Sequence, residues 1–362
     1  MRTHWQRKPL LVRAAFADFR DPLSPAEVMR LAGRDEAQSR LIMGRGKRWS
    51  LEHGPIGASR FKQLPSRDWT VLVQDTNHFC RAADRLLDHF DFVPHARIDD
   101  VMVSYAVPGG SVGPHVDSYD VFLLQGRGRR RWQISSQTNR DFLPGMPLKI
   151  LGRFEPEHEW ELEAGDMLYL PPGVAHHGVA QTPCLTWSVG FRAPSDGEWV
   201  TGFLDYLREA PAPGGHYADP GGAPARHPGA IPPRMLDHAA RTLGRIRWTP
   251  SMVREFTGRY LTEPKAHVFF DPPARPLAPA RFAAAARRRG IELDGRSRFA
   301  FSGAVFFMNG EAQALDTGAR PAATRLADRR RIEAGSAAPD SFWDAAYGWY
   351  LQGFVVLGGG PT

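Results

Sequence analysis

The stretch Gly113-Pro-His-Val-Asp-Ser-Tyr-Asp120 sets an imidazole and a carboxylate, His115 and Asp117, two residues apart. On an extended strand, side chains two apart leave the same face, so both can reach one metal ion. A His-x-Asp pair alone arises often by chance, and two ligands do not make a site. A third candidate stands downstream, where Asp166-Met-Leu-Tyr-Leu170 reads as a strand and Pro171-Pro-Gly173 as the turn that carries His176 or His177 to a barrel mouth. Adjacent residues on an extended chain point to opposite faces, so one of these two histidines faces the metal, and residue types do not say which. Two imidazoles and one carboxylate on one face form a facial triad, which suits iron(II) and leaves positions open for an oxidant and a bidentate organic acid. Only Cys80 and Cys184 are present, too few for a thiolate zinc site or a disulfide framework, so histidines and carboxylates are the ligands that remain.

Positioning such a triad requires strands. From about residue 10 to 207 the chain offers short β-rich segments split by Gly, Pro and Asp turns: Val101–Val107, Val121–Leu124, Arg131–Ile134, Asp166–Leu170 and Cys184–Phe191. Regular short strands predict a sandwich or barrel. Ser24-Pro-Ala-Glu27 is a capping box with Pro at the first helical position, which predicts a helix over about 25–32. From Tyr206 to Pro233, with Pro211-Ala-Pro-Gly-Gly215 and Asp219-Pro-Gly-Gly-Ala-Pro224, the composition is that of a linker. Pro233 to Leu261 is helical in pattern, with Met235, Leu236, Ala239, Leu243 and Ile246 at three- and four-residue intervals. A helix near Pro279–Arg289, a strand over Arg298–Met308 turning at Asn309-Gly310 into Ala312–Leu315, and a helix with a short strand over Phe342–Leu357 complete the chain. The domain expectation is thus 1–207 catalytic, 208–270 linker and helical region, and 271–362 a small winged-helix-like domain.

The 362 residues carry a formal charge of +7, which attracts acidic partners and makes nucleic acid or a ribonucleoprotein surface a natural neighbour. The runs Arg287-Arg-Arg289 and Arg329-Arg-Arg331 read more simply as solvated helix faces, so direct nucleic-acid contact is not an expectation. No run of eighteen apolar residues occurs, and the first residues lack the apolar stretch of a secretory signal; the expectation is a cytoplasmic protein without a membrane span.

Around the candidate ligands the chain closely resembles the JmjC-type ribosomal oxygenases, in particular the bacterial branch that hydroxylates an arginine of large-subunit ribosomal protein sixteen. The matching stretches are His4–Arg13, Trp69–Asp75, Pro108–Phe122, Gln125–Trp132 and Gly165–His176. The resemblance implies a double-stranded β-helix of the cupin and JmjC jelly-roll type, a helical dimerisation region and a C-terminal winged-helix domain. It implies iron(II), 2-oxoglutarate and molecular oxygen as the reactants at the site, a ribosomal protein as substrate and a homodimer. It selects His176 over His177 as the third ligand. It also selects Arg130, two residues before Trp132, as the cation for the distal carboxylate of 2-oxoglutarate, a task a guanidinium fork performs better than an ammonium. On a strand, Arg130 faces away from Arg129 and Arg131. Ser104 and Ser188 are candidate hydroxyl donors to the cosubstrate, although a small strand hydroxyl is often a packing choice. Tyr119 and Asp120, beside the metal motif, are candidates for contact with a cationic arginine or equally for framework. A lysine demethylase or histidine hydroxylase would share the site, and a cupin-like metal sensor would have no use for Arg130; no aromatic cage for a methylated ammonium is visible.

Overall fold

In the computed structural model, which describes residues 1–46, 48–209, 214–222 and 224–359, two β-sheets face each other in the first half of the chain. The strands, in chain order, are β1 (Leu10–Val12), β2 (Ser39–Arg45), β3 (Arg48–His53), β4 (Trp69–Val73), β5 (Ile98–Ala106), β6 (His115–Val116), β7 (Asp120–Gln125), β8 (Arg130–Ser135), β9 (His158–Leu162), β10 (Met167–Leu170), β11 (Ala175–Ala180) and β12 (Cys184–Phe191). The larger sheet runs β1-β10-β7-β12-β5-β4-β2-β3 and the smaller β6-β11-β8-β9, with every pair antiparallel. From β5 to β12 the chain crosses repeatedly between the sheets, with only β8 and β9 staying in the smaller one, which is the double-stranded β-helix expected from the sequence.

Two apolar layers hold this frame. Outside the larger sheet, Val71, Val103, Leu124, Leu185 and Trp187 pack under helix α1 (Pro25–Leu31) and the segment Leu86–Val93. Between the sheets, Val121, Leu123, Trp132, Ile134, Leu168 and Leu170 fill one end of the barrel and leave the other end open. Burying a side chain of this size contributes roughly 1.5–3 kcal/mol, so the filled end makes a rigid floor for whatever the open end holds. Helix α1 begins as the capping box predicts: the Ser24 hydroxyl accepts from the Glu27 backbone N–H, and the Glu27 carboxylate accepts from the Ser24 N–H.

Downstream helices are α2 (Ala58–Lys62), α3 (Arg81–Asp84), α4 (Asp196–Glu209), α5 (Pro233–Leu243), α6 (Pro250–Thr262), α7 (Pro279–Arg289), α8 (Arg320–Arg329) and α9 (Asp340–Leu351). Helix α4 was not anticipated and takes Tyr206–Glu209 out of the expected linker. Of that linker, residues 210–213 and 223 lie outside the described residues. The helical pattern over Pro233–Leu261 is two helices. It breaks after Gly244, and α6 restarts at Thr249, whose hydroxyl accepts from the Met252 N–H, followed by Pro250 at the first position. The C-terminal half adds sheets β17-β13-β18 and β14-β15-β16, formed by β13 (Ile291–Leu293), β14 (Phe299–Ser302), β15 (Val305–Met308), β16 (Glu311–Gln313), β17 (Arg331–Ile332) and β18 (Val355–Leu357). The single strand expected over Arg298–Met308 is corrected to two, because the chain reverses at Gly303, whose φ of +60° only glycine adopts readily. The Asn309-Gly310 turn is where it was expected, with φ of +50° and +88°, and it joins β15 to β16. A second core of Phe282, Phe342, Trp343, Trp349 and Leu326 closes this helix-and-hairpin unit. Among the described residues no helix is long and apolar enough to cross a membrane.

Candidate active site

At the open end of the barrel, His115 on β6 sits directly across from His176 on β11, since these residues are register partners of an antiparallel pair. Cross-strand partners share a face, and the two ring centroids lie 4.2 Å apart. Asp117 follows β6, and its Oδ2 lies 3.8 Å from His115 Nε2 and 3.5 Å from His176 Nε2. One potential ligand atom from each of the three residues falls within 4.8 Å of the others. Both imidazoles are oriented by the backbone: His115 Nδ1 is 2.9 Å from the Gly113 carbonyl and His176 Nδ1 is 2.9 Å from the Val174 carbonyl. A carbonyl accepts only, so each Nδ1 carries the proton and each Nε2 presents its lone pair to the common centre. Burial pushes the His176 pKa down to about 4, assisted by His115, so this ring is neutral near pH 7 and ready to ligate. The adjacent His177 is turned to the other side of β11, edge-on to Phe154 at 6.0 Å, and outside the cavity that the triad borders.

That cavity, about 380 Å³, runs from the triad along the inner face of the larger sheet. Its far wall is β8, where Arg130 and Trp132 face inward while Arg129 and Arg131 face out, as the alternation of a strand requires. Arg130 is 6% exposed, and its Nε and Nη2 have no hydrogen-bond partner among the described residues. Buried guanidinium nitrogens without partners are costly unless an anion enters. Its guanidinium carbon stands 5.8 Å from the Trp132 ring centroid, which contributes to its positioning. Gly178 on β11 lies against that same Trp132: a Cβ there would come within 2.7 Å of the indole, so glycine makes room for the ring. Ser104 and Ser188 line the cavity from β5 and β12, and Thr186, unanticipated, lies between them as the register partner of Ser104. The donor set fits a divalent metal at the triad and a dicarboxylic acid reaching from it to Arg130.

Tyr119 and Asp120 separate. Tyr119 borders the cavity, partly exposed. Asp120 is corrected from a candidate substrate contact to a framework residue: it is fully buried, accepts from Tyr169 Oη at 2.6 Å and from Gln6 Nε2 at 3.0 Å, and pairs with Arg97 at 3.2 Å. Its one-residue offset from Tyr119 turns it to the opposite face, where Trp5 stacks on Tyr169 at 5.6 Å. Opposite the triad, the start of β5 instead supplies Asp99 and Asp100 to the cavity wall. Burial raises the Asp100 pKa to about 6. Sequence reading missed both carboxylates, yet the signal was there, because Asp100 and Met102 step back by twos from Ser104 along one strand face.

Fold and site together define a metal-dependent oxygenase of JmjC architecture. Comparison with known proteins agrees: a JmjC domain model matches residues 85–199, and a ROXA-like winged helix matches residues 245–355. Over 344 residues the chain is 34% identical to the ribosomal protein uL16 3-hydroxylase of Escherichia coli (strain K12), which spans 94% of this chain and 90% of that protein. A probable ribosomal oxygenase of Haemophilus influenzae is 36% identical over 206 residues, 56% of this chain and 51% of that one. The structure of the Escherichia coli ribosomal oxygenase YcfD in complex with cobalt and 2-oxoglutarate superposes with a TM-score of 0.83 at 33% identity, covering 99% of this chain and 97% of that chain. The chain belongs to the JmjC-type ribosomal oxygenases, a family of 2-oxoglutarate-dependent dioxygenases.

Proposed function

We propose that this protein hydroxylates an arginine of ribosomal protein uL16, with His115, Asp117 and His176 as the iron(II) ligands and Arg130 as the anchor for the distal carboxylate of 2-oxoglutarate. The observation that carries the reading is the buried, unpartnered guanidinium of Arg130, in the same cavity as three convergent metal-ligand atoms. A bidentate Arg–carboxylate pair would satisfy those donors and fix the cosubstrate's orientation. Iron(II) with 2-oxoglutarate and oxygen supplies the oxidising chemistry. The chain's own residues bind, orient and exclude water. The Gly113 and Val174 carbonyls hold the imidazoles in one tautomer. Ser104 and Ser188 offer hydroxyls along the cosubstrate's length, and Val121, Leu123 and Trp132 keep its methylene chain dry. Asp99 and Asp100 suit a guanidinium, and Tyr119 offers a ring face to its methylenes. An acidic wall favours arginine over a neutral histidine as the residue oxidised.

A homodimer belongs to the same proposal. Val200 and Leu204 on α4, Leu236 and Leu243 on α5, and Trp248 before α6 are all more than half exposed. An apolar surface of this extent along consecutive helices is what a self-complementary interface covers. The substrate reading is tested by fragmenting uL16 peptides after reaction with the enzyme, iron(II) and 2-oxoglutarate. An added oxygen localised to an arginine is the expected result; an oxygen localised to a histidine, or on no residue of uL16, overturns the substrate.

A further inference from the structure

Behind the Asp99–Asp100 wall, on the side away from the cavity, sits a lysine from the C-terminal half of the chain. Lys265 lies in the turn after α6, inside the stretch matched as a winged helix. Its Nζ is 2.8 Å from Asp75 Oδ1 and 3.2 Å from Asp99 Oδ1. Asp75 in turn uses its backbone N–H to donate to Asp100 Oδ2 at 3.2 Å. Asp75 is buried and holds a left-handed backbone, φ +51°, where a non-glycine residue is strained. Two more groups from the C-terminal half converge here: His267 Nε2 lies 3.3 Å from Asp75 Oδ2, and Arg298 donates to the Asp99 carbonyl at 3.2 Å. Three carboxylates on adjacent chain segments would repel one another, and Lys265 is the cation that touches two of them.

We propose that Lys265 is a positioning residue for substrate: from the winged-helix side it holds Asp75 and Asp99 in place, and through the Asp75 N–H it holds Asp100, so that the acidic wall is set to receive a cationic side chain. The winged-helix domain is then part of the substrate site and not an appendage to the barrel. The proposal rests on the reading of arginine as the residue oxidised. The charges agree with it. Burial works against the ammonium, but Asp100, Asp99 and Asp75 together raise the Lys265 pKa above the ordinary lysine value. For Asp100, burial raises the pKa to about 6, and Lys265 is the strongest influence in the other direction. Facing Asp100 are Asp75 after β4, Asp99 on β5, Lys265 after α6, Arg298 before β14 and Tyr119 before β7; His267 stands against Asp75, and His78, next to Asp75, is kept neutral by burial until about pH 4. Without Lys265, Asp100 takes up its proton nearer neutral pH and the wall loses charge.

The test is steady-state kinetics of the full-length, iron-loaded protein on an arginine-containing uL16 peptide across pH 6 to 9, with peptide affinity measured by calorimetry beside it. For Lys265→Met, a rise of roughly one pKa unit at Asp100 from about 6 leaves about half of it ionised at pH 7 and about a tenth at pH 6, so the peptide KM should rise about twofold at pH 7 and about fivefold at pH 6, with kcat within about twofold. The rise should shrink towards pH 9, and Lys265→Arg should restore most of the affinity. Turnover of 2-oxoglutarate without peptide should not change, because Lys265 does not border the cosubstrate cavity. His267→Gln should keep the wild-type pH profile, which separates Asp100 from the imidazole as the titrating group. If Lys265→Met does not fold, Lys265→Gln, which retains a hydrogen-bonding head without the charge, carries the same expectation. A folded neutral variant with the wild-type KM and pH profile overturns the inference while leaving the arginine reading intact. A wild-type enzyme that oxidises no arginine overturns both.

Discussion

Replacing Arg130 with Met should have opposite effects on ligand binding and on the stability of the ligand-free protein. The two side chains are similar in length, so packing against Trp132 is largely kept while the charge is removed. In the bound state, the substitution leaves the distal carboxylate of 2-oxoglutarate buried with no counter-charge. Breaking a buried ion pair by removing one partner costs about 3–5 kcal/mol. At about 1.4 kcal/mol per tenfold, cosubstrate affinity should fall by roughly two to nearly four powers of ten. In the unliganded protein, however, Arg130 is 6% exposed with Nε and Nη2 unpartnered, so its charge is a burden there. Exchanging it for an apolar chain should therefore stabilise the ligand-free protein, and at about 2–4 °C per kcal/mol the variant should melt higher. Calorimetric titration of 2-oxoglutarate, with manganese(II) replacing iron(II) to prevent turnover, measures the first effect, and thermal unfolding without ligand measures the second. A variant that binds 2-oxoglutarate within threefold of wild type, or melts several degrees below it unliganded, would refute the assignment. Arg130→Lys should fall between, because an ammonium keeps the charge and loses the planar fork.

Other substitutions divide the site more finely. His176→Ala should abolish metal binding while His177→Ala retains it, and metal content after dialysis reads the difference; the reverse result would exchange the two roles. Gly178→Ala drives a methyl into the Trp132 ring and should destabilise by about 1–3 kcal/mol, with weaker 2-oxoglutarate binding; chemical denaturation with an unchanged midpoint would contradict this. Burial holds His78, His176 and His177 each down at about 4, so in the metal-free protein these rings stay neutral when folded and take up protons only on unfolding. Stability must then fall as pH drops from the ordinary 6.5 towards 4; Asp84 and Asp100, whose pKa values are raised, bind protons in the folded state and partly oppose the fall below about pH 6. An unfolding free energy that is flat between pH 7 and 5 would contradict the assignment of buried neutral rings. Leu236→Asp should convert the dimer to monomer in sedimentation at micromolar concentration, and a wild-type protein that sediments only as monomer removes the dimer.

The parts of the fold and site that could be read in advance are those fixed by short-range patterns. His115 and Asp117 stand two apart beside a strand, and Arg130 alternates with its neighbours on another, so facing was a matter of period two. The Ser24 capping box and the Asn309-Gly310 turn are similarly local. Asp120 misled because adjacency in sequence to the metal motif is, on a strand, the condition for pointing away from it. Asp99 and Asp100 escaped because the expected strand began at Val101, while the strand itself starts at Ile98, so the step by twos back from Ser104 stopped short of them. Lys265, Asp75 and Arg298 lie far apart in the chain and are brought together only by the docking of the C-terminal half on the barrel, so no window of sequence contains the network. Helix α4 was obscured because the Pro- and Gly-rich composition after Tyr206 drew the linker boundary too early.

The triad and Arg130 together make this chain a 2-oxoglutarate-dependent hydroxylase of a ribosomal protein. The most direct test of this is the intact mass of recombinant uL16 after incubation with the enzyme, iron(II), 2-oxoglutarate and oxygen, beside the Asp117→Ala variant. A gain of one oxygen atom is expected with the wild-type enzyme and none with the variant. Succinate formed without any mass gain on uL16 would contradict the ribosomal target, and neither succinate nor mass gain would contradict the oxygenase itself.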